Sequence, residues 1–264
     1  NNKDSYDHYL GKTSSMFQVA AAAGIIIGGI IATRSFSIIM WLSVIPQVIC
    51  LMLSFFIVEP TKQSRQSANI YSHLITATKK LWSNNTLKLL SLNSIIGQAV
   101  GESTYQFRAA FVNTLWPLWA VGFSTVLSSI GAAASYWYSG KLIKKIGAYR
   151  LLLIANLYSK TINVASVAVA TVISPVLMST TSLFLGVSKV ANSKLMQQEF
   201  TDEQRATLGS ITSFLGNLAF SVFAVVLGIL ADRFGPTKAL LFAYLSYLPS
   251  LGINWVLYKD NKNG

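Results

Sequence analysis

The sequence has few charged residues, and acidic residues are the scarcest. Asp, Glu, Lys and Arg make up 11% of the 264 residues, whereas soluble domains carry about 25%. Nine residues are acidic and 21 are Lys or Arg, and they cluster between segments that are almost free of charge. Because 52% of the residues are hydrophobic, this distribution argues against an ordinary soluble domain.

Cysteine and histidine are nearly absent, which limits the chemistry that the chain can perform. The one cysteine, Cys50, cannot form an intrachain disulfide, and His8 and His73 lie far apart in sequence. The sequence contains neither a Gly-rich phosphate loop followed by Lys and Ser or Thr nor a nucleophile elbow. We therefore expect no metal site, no cofactor and no enzymatic activity.

Long apolar runs dominate the rest of the chain. A helix needs about 20 mostly apolar residues to cross a bilayer. The runs are continuous and do not alternate with polar residues, so they indicate helices and not barrel strands. The sequence thus predicts an all-α membrane protein with eight spans, at residues 13–33, 37–58, 87–108, 114–140, 149–171, 174–197, 206–231 and 237–258.

The basic residues are distributed as in a membrane protein with both ends in the cytoplasm. If the N-terminus is inside, fifteen Lys and Arg residues fall in inside segments and four in outside segments, which follows the positive-inside rule. The inside set is Lys3, Lys12, Lys62, Arg65, Lys79, Lys80, Lys88, Lys141, Lys144, Lys145, Arg150, Lys194, Arg205, Lys259 and Lys262, and the outside set is Arg34, Arg108, Arg233 and Lys238. The net charge of +12 therefore indicates membrane topology and not nucleic-acid binding.

The first and seventh spans resemble each other. Leu10-Gly11 matches Leu208-Gly209, and Ala32-Thr33-Arg34 matches Ala231-Asp232-Arg233, at an offset of about 198 residues. A period of six helices predicts two parallel six-helix halves, as in many secondary transporters. Residues 1–58 are then the last two helices of a first half, 59–86 a cytoplasmic loop and 87–264 a complete second half. Four further helices are expected before residue 1.

The loop after the fourth span carries a family signature. Residues 140–150 read GKLIKKIGAYR, with Gly140 and Gly147 enclosing Lys144 and Lys145 and with Arg150 closing the segment. This stretch resembles the cytoplasmic Gly-x-x-x-Asp-Arg-x-Gly-Arg-Arg loop of the major facilitator superfamily, with Lys144 in place of the aspartate. The resemblance implies a helical bundle of that type, in which about eight of twelve membrane helices are present.

A related element follows the seventh span, on the predicted outer side. Gly228, Asp232, Arg233 and Gly235 repeat the spacing of that loop within VLGILADRFGPTKALLF. We interpret the element as a hairpin in which Asp232 caps the start of the next helix. The alternative is a gating ion pair with another outer loop. Together with residues 140–150, the element is assigned to the loops that move during transport.

The third span contains the most polar residues of any span. Gln98, Glu102 and either Tyr105 or Gln106 recur at helical spacing, so they share one face. Charged and amide groups in a membrane helix indicate a functional site. The resemblance puts this helix beside the central cavity, where the group would bind the substrate or carry the coupling proton. The alternatives are that Glu102 pairs with Arg108 or that it lies near enough to the outer surface to be solvated.

Three other spans contribute candidates for the same cavity. Lys189 and Asn192 lie in the sixth span, where Lys189 either pairs with Glu102 or extends to the cytoplasmic surface. Gln18 and Asn217 lie in the two related spans and either face the cavity or bond to neighbouring helices. Asn156 and Lys160 are also candidates for the cavity, because they are polar residues within the fifth span.

The resemblance implies a secondary transporter that works by alternating access. We expect proton-coupled export of a small amphipathic solute or drug, as in bacterial efflux members of the family. Uptake of a sugar, amino acid or nucleoside and a non-transporting receptor on the same scaffold are the alternatives. The expected partners are the lipid bilayer, the solute and protons, the chain is expected to be a monomer, and the expected location is the bacterial inner membrane.

Overall fold

The computed structural model describes residues 6–32, 34–57, 75, 78–79, 81–199 and 205–263. This part of the chain is helical throughout and contains no strand. Its helices are α1 (Tyr6–Ala32), α2 (Phe36–Ser54), α3 (Asn85–Asn113), α4 (Leu118–Ile146), α5 (Ala148–Val169), α6 (Ser174–Thr180), a 3₁₀ turn (Thr181–Phe184), α7 (Leu185–Glu199), α8 (Arg205–Phe234), α9 (Pro236–Ser246) and α10 (Pro249–Asn263). Most of the predicted cytoplasmic loop, 59–86, lies outside the described residues.

Six segments of this part are long and apolar enough to cross a membrane, which is compatible with a multi-pass membrane protein. They include α1, α2, α4, α5, α8 and the combined α9–α10 segment. The other two predicted spans coincide with α3 and with the α6–α7 segment. Since α3 has 29 residues, its polar composition and not its length separates it from the six. The 3₁₀ turn Thr181–Phe184 divides the other segment.

Asparagine and proline determine where α3 begins and where α9 gives way to α10. The Asn84 side-chain oxygen accepts a hydrogen bond from the Leu87 backbone N–H at 3.0 Å, which caps the first turn of α3. The Asn84 amide also donates to the Glu199 carboxylate at 2.8 Å, joining the start of α3 to the end of α7. Pro249 has no backbone N–H and opens α10, which interrupts the last predicted span near Tyr247.

Small residues let three helices meet backbone to backbone. A Cβ at Gly11 of α1 would lie 2.5 Å from the Tyr136 carbonyl oxygen of α4, and Gly186 of α7 packs against the Tyr136 backbone. The Ser15 hydroxyl donates to the Ala133 carbonyl at 2.8 Å across the same contact. These contacts hold the first half of α1 against α4 and α7. We refer to this end of the bundle, where α1 and α3 begin, as the predicted cytoplasmic end.

The remainder of α1 and all of α2 have little packing in the described structure. Ile26, Ile27 and Ile30 of α1 are at least half exposed, and α2 has no buried residue. Exposed apolar helices of this kind are stable against lipid or against other helices, not against water. The described surface is therefore consistent with the membrane assignment.

Single glycines connect the helices at the two predicted hairpins. Gly147 joins α4 to α5 with φ +90°, and Gly235 joins α8 to α9 with φ +85°, a backbone region that favours glycine. The predicted capping role of Asp232 is wrong. The helix α8 continues through Asp232 to Phe234, and Gly235 precedes α9 without a side-chain cap.

Candidate functional site

One face of α3 is partly open, and it carries the predicted polar residues. Gln98 and Glu102 are half-buried, and Tyr105 is exposed one turn further along. Ser103 and Thr104, on the opposite face, are buried. The helical spacing predicted that Gln98, Glu102 and either Tyr105 or Gln106 share a face, and both Tyr105 and Gln106 are exposed in the structure.

Glu102 forms an ion pair with Lys189 of α7. Pairing with Glu102 was one of the two alternatives that the sequence left open for Lys189. The Nζ and Oε1 atoms are 3.8 Å apart, and the side chains are 57% exposed for Lys189 and 38% for Glu102. Arg108 does not take part, because its guanidinium donates to the Ser179 hydroxyl at 2.8 Å and to the Pro175 carbonyl at 3.3 Å. Exposed pairs typically contribute about 0.2–1 kcal/mol, so this pair adds little to stability.

An amide pair lies one helical turn from Glu102 toward the predicted cytoplasmic end. The Gln98 side-chain amide donates to the side-chain Oδ1 of Asn217 in α8 at 3.3 Å. Gly216 allows this approach, since a Cβ there would be 3.1 Å from the Gln98 Cβ. The pair borders a pocket of about 150 Å³ whose lining is entirely hydroxyl and amide side chains, namely Ser94, Gln98, Thr212, Ser213 and Asn217.

Asn192 takes part in a chain of asparagines that connects three helices. The Asn254 side-chain amide of α10 donates to Oδ1 of Asn93 in α3, and the Asn93 side-chain amide donates to Oδ1 of Asn192 in α7, each at 3.2 Å. Hydrogen bonds between amide side chains of different helices stabilise helical bundles in membranes. Sequence analysis singled out Asn192 but not Asn93 or Asn254, because a single asparagine in a span has no signal that identifies its partner.

Gln18 and Gln106 are not brought into this group by a hydrogen bond. Gln18 lies half-buried on α1, beside the face that packs on α4, and bonds to no other described residue. Gln106 is exposed on α3. The structure thus joins Gln98 to Asn217 and Glu102 to Lys189, and it leaves Gln18, Tyr105 and Gln106 with accessible side chains.

Lys160 of α5 is a buried cation inside the helical bundle. It is 2% exposed, and its ammonium donates to the Asn156 side-chain oxygen at 2.6 Å. The ammonium also lies 4.1 Å from the ring centroid of Tyr247, in the interruption between α9 and α10. No carboxylate of the described residues pairs with Lys160. The sequence identified Lys160 and Asn156 but not Tyr247, whose position depends on the helix interruption.

A second ion pair closes the predicted cytoplasmic end between α1 and α7. Asp7 is fully buried, and its carboxylate lies 3.0 Å from the Lys194 ammonium. The Tyr6 and Ser193 hydroxyls form a hydrogen bond of 3.0 Å beside it. Removing one partner of a buried pair typically costs about 3–5 kcal/mol, so this contact holds α1 and α7 together far more firmly than Glu102 and Lys189 hold α3 and α7.

The residues of the two loop motifs lie at the helix ends, and most of their side chains are exposed. Gly140 packs against the His8 backbone of α1, where a Cβ would be 3.4 Å from the His8 Cα, and Gly228 is in ordinary contact with Phe107. The exposed side chains are those of Lys144, Lys145, Arg150, Asp232 and Arg233. The motif around residues 140–150 therefore borders the contact between α1 and α4 at Gly140.

The described part of the chain contains no group of three His, Cys, Asp or Glu side chains that could hold a metal ion. A larger groove of about 580 Å³ between α3 and α8 is lined mostly by apolar side chains such as Ile95, Leu215 and Val222. The comparisons with known proteins gave no indication of the family or function of the chain. No family model matches it, and no curated protein shows significant similarity to it.

Proposed function

We propose that this protein is a secondary transporter that moves a small solute across a membrane by alternating access. The observation that carries the proposal is the Glu102–Lys189 ion pair, which is partly exposed between the two helices α3 and α7. Charged side chains in such helices are costly and serve ion or substrate pathways. In this proposal α3 and the α6–α7 segment also cross the membrane, giving the eight helices of a major facilitator-type bundle.

The different packing of the two halves of α1 supports alternating access. At the predicted cytoplasmic end, Gly11 lies against α4 and Asp7 pairs with Lys194 of α7. Toward its other end, α1 exposes Ile27 and Ile30. Transport requires that the closed end open in turn, so the Asp7–Lys194 contact acts as the cytoplasmic gate in this mechanism.

An ion gradient supplies the energy in this proposal, with protons as the coupling ion. Glu102 is the proton carrier in the proposal, because it is the carboxylate of α3 and its side chain is partly exposed beside Lys189. Protonation of Glu102 would release Lys189 from the pair, which changes the charge that the site presents to the solute. Export is the direction that the family resemblance implies.

Reconstitution into liposomes tests the proposal. The purified full-length protein is placed in liposomes that contain a pH-sensitive dye, and a panel of small solutes is screened under an imposed proton gradient. We expect at least one solute to drive proton movement that is absent in protein-free liposomes. A solute that binds to the protein in detergent but produces no flux of itself or of protons would contradict transport and indicate a receptor.

A further inference from the structure

In the Glu102–Lys189 ion pair, the carboxylate can still accept hydrogen bonds and the ammonium can still donate them. Their Nζ–Oε1 distance of 3.8 Å exceeds the 3.2 Å or so of an N–H···O hydrogen bond. Among the described residues, neither Glu102 nor Lys189 has another hydrogen-bond or ion-pair partner. A ligand can therefore bond to the carboxylate and to the ammonium without displacing an existing hydrogen bond.

The two charges lie close enough together for a compact zwitterion such as a free α-amino acid to contact both. In such a ligand the ammonium nitrogen and the carboxylate carbon are about 2.5 Å apart, as follows from the N–Cα and Cα–C bond lengths. An amino acid aligned antiparallel to the pair puts its ammonium on Glu102 and its carboxylate on Lys189 at the same time. In an extended dipeptide or ω-amino acid the two charges are further apart, so such a ligand must bend to contact both residues.

The amide pocket is the place for the side chain of such a ligand. Gln98, which lines the pocket, precedes Glu102 by four residues, so the two residues are about 6 Å apart along the axis of α3. Its volume of about 150 Å³ and its hydroxyl and amide lining suit a small polar group. A large apolar side chain there would cover the polar groups of the lining without forming hydrogen bonds to them.

We propose that the site binds a free α-amino acid with a small polar side chain, held as a zwitterion by Glu102 and Lys189. The inference rests on the proposed transport function and narrows its solute. It replaces the amphipathic solute expected from the family resemblance by one that carries both charges. Gln98 and Asn217 select the side chain and do not contact the charged groups of the ligand.

Calorimetric titration of the purified full-length protein in detergent tests the inference with five probes. The probes are serine, ethanolamine with the amine alone, 3-hydroxypropanoate with the acid alone, 6-aminohexanoate with distant charges, and leucine. We expect serine to bind at least about tenfold more tightly than each of the others. Equal affinity for serine and either single-charge compound would overturn zwitterion binding, and equal affinity for serine and leucine would overturn the role of the amide pocket.

Charge-removing variants assign each end of the ligand to its residue. We expect Glu102→Gln to weaken serine binding at least about tenfold while leaving the binding of 3-hydroxypropanoate unchanged. Lys189→Gln is expected to weaken serine binding similarly while leaving ethanolamine unchanged. Glu102→Asp and Lys189→Arg keep the charges and should restore most of the affinity, which separates loss of binding from loss of the fold.

Asp260→Asn and Lys262→Gln are the matched controls, because both side chains are exposed at the end of α10. These variants should bind serine as the unmodified protein does. If Glu102→Gln and Lys189→Gln also bind serine normally, the inference is wrong. Serine binding without serine flux in liposomes would contradict the transport proposal alone, whereas proton-coupled flux of a different solute without serine binding would contradict only this inference.

Discussion

At the level of single residues, the Asp7–Lys194 ion pair is more deeply buried than the Glu102–Lys189 ion pair. The Asp7 carboxylate is fully buried 3.0 Å from Lys194, whereas Glu102 and Lys189 are 3.8 Å apart and partly exposed. A buried pair is expensive to break, and an exposed pair is not. In the proposed mechanism, this difference suits Asp7 and Lys194 to a gate that holds one state and Glu102 and Lys189 to a site that exchanges partners.

Replacing the central carboxylate is expected to stop coupled transport without unfolding the protein. Glu102→Gln keeps the size of the side chain and removes its charge, so proton-coupled flux in liposomes should fall to the background of protein-free vesicles. The thermal midpoint should stay within a few degrees of that of the unmodified protein, since exposed pairs contribute only about 0.2–1 kcal/mol. Flux that is unchanged across a pH series would remove Glu102 from the mechanism.

Replacing the buried Lys160 by an apolar residue is expected to raise the stability of the protein. Replacing a buried charged group by an apolar one of similar size is often stabilising, by about 1–4 kcal/mol in favourable cases. Lys160→Met loses the bond to Asn156 and the contact with Tyr247, so we expect a gain near the lower limit, about 1 kcal/mol. Thermal or denaturant unfolding in detergent measures the change. A loss of stability would mean that those two contacts outweigh the cost of burying the charge.

At the level of elements, helix packing is uneven along α1. Gly11 and Ser15 lie in direct contact with α4, while α2 has no buried residue. The interruptions at Thr181–Phe184 and before Pro249 lie in segments that contact the candidate site or Lys160. Broken helices free backbone groups and allow parts of a span to move separately.

Removing the Asp7 charge is expected to loosen α1 from α4 and α7. The test uses Ser139→Cys in a Cys50→Ser background, because Ser139 is buried beneath Gly11. Adding Asp7→Asn leaves Lys194 without its partner, and we expect a thiol reagent to label the new cysteine about tenfold faster or more. The Asp260→Asn change in the same background is the control. Equal labelling rates for all three proteins would show that the Asp7–Lys194 contact does not hold this end closed.

At the level of the whole molecule, membrane topology connects the charge pattern with the two glycine hairpins. Gly147 and Gly235 have nearly the same backbone conformation, yet the charge distribution predicts that they lie on opposite sides of the membrane. Local geometry cannot distinguish the two sides, because it is the same in both hairpins. The excess of Lys and Arg in the inside segments makes the distinction.

Impermeant thiol reagents are expected to separate the two hairpins. In a Cys50→Ser background, Lys238→Cys should be labelled in intact cells, and Lys144→Cys should be labelled only after the cells are made permeable. Both lysines are exposed, so differences in burial do not complicate the comparison. Labelling of both positions, or of Lys144→Cys alone, in intact cells would overturn the predicted orientation.

The sequence by itself determined where most of the helices lie, because length and apolar composition are properties of each segment alone. It also predicted that Gln98, Glu102 and either Tyr105 or Gln106 share a face, since helical periodicity is local. Its prediction for Asp232 failed because the end of α8 depends on how its last turn packs, which composition does not encode.

Only the tertiary structure decided which polar groups meet. Glu102 and Lys189, Gln98 and Asn217, and Lys160 and Tyr247 each come from different helices and are at least 87 residues apart in the chain. Inside a bundle of low polarity, each such group is strongly driven to find a partner. The helix crossings determine which partner is within reach, and those crossings result from small residues such as Gly186 and Gly216 acting together with the whole set of packed helices.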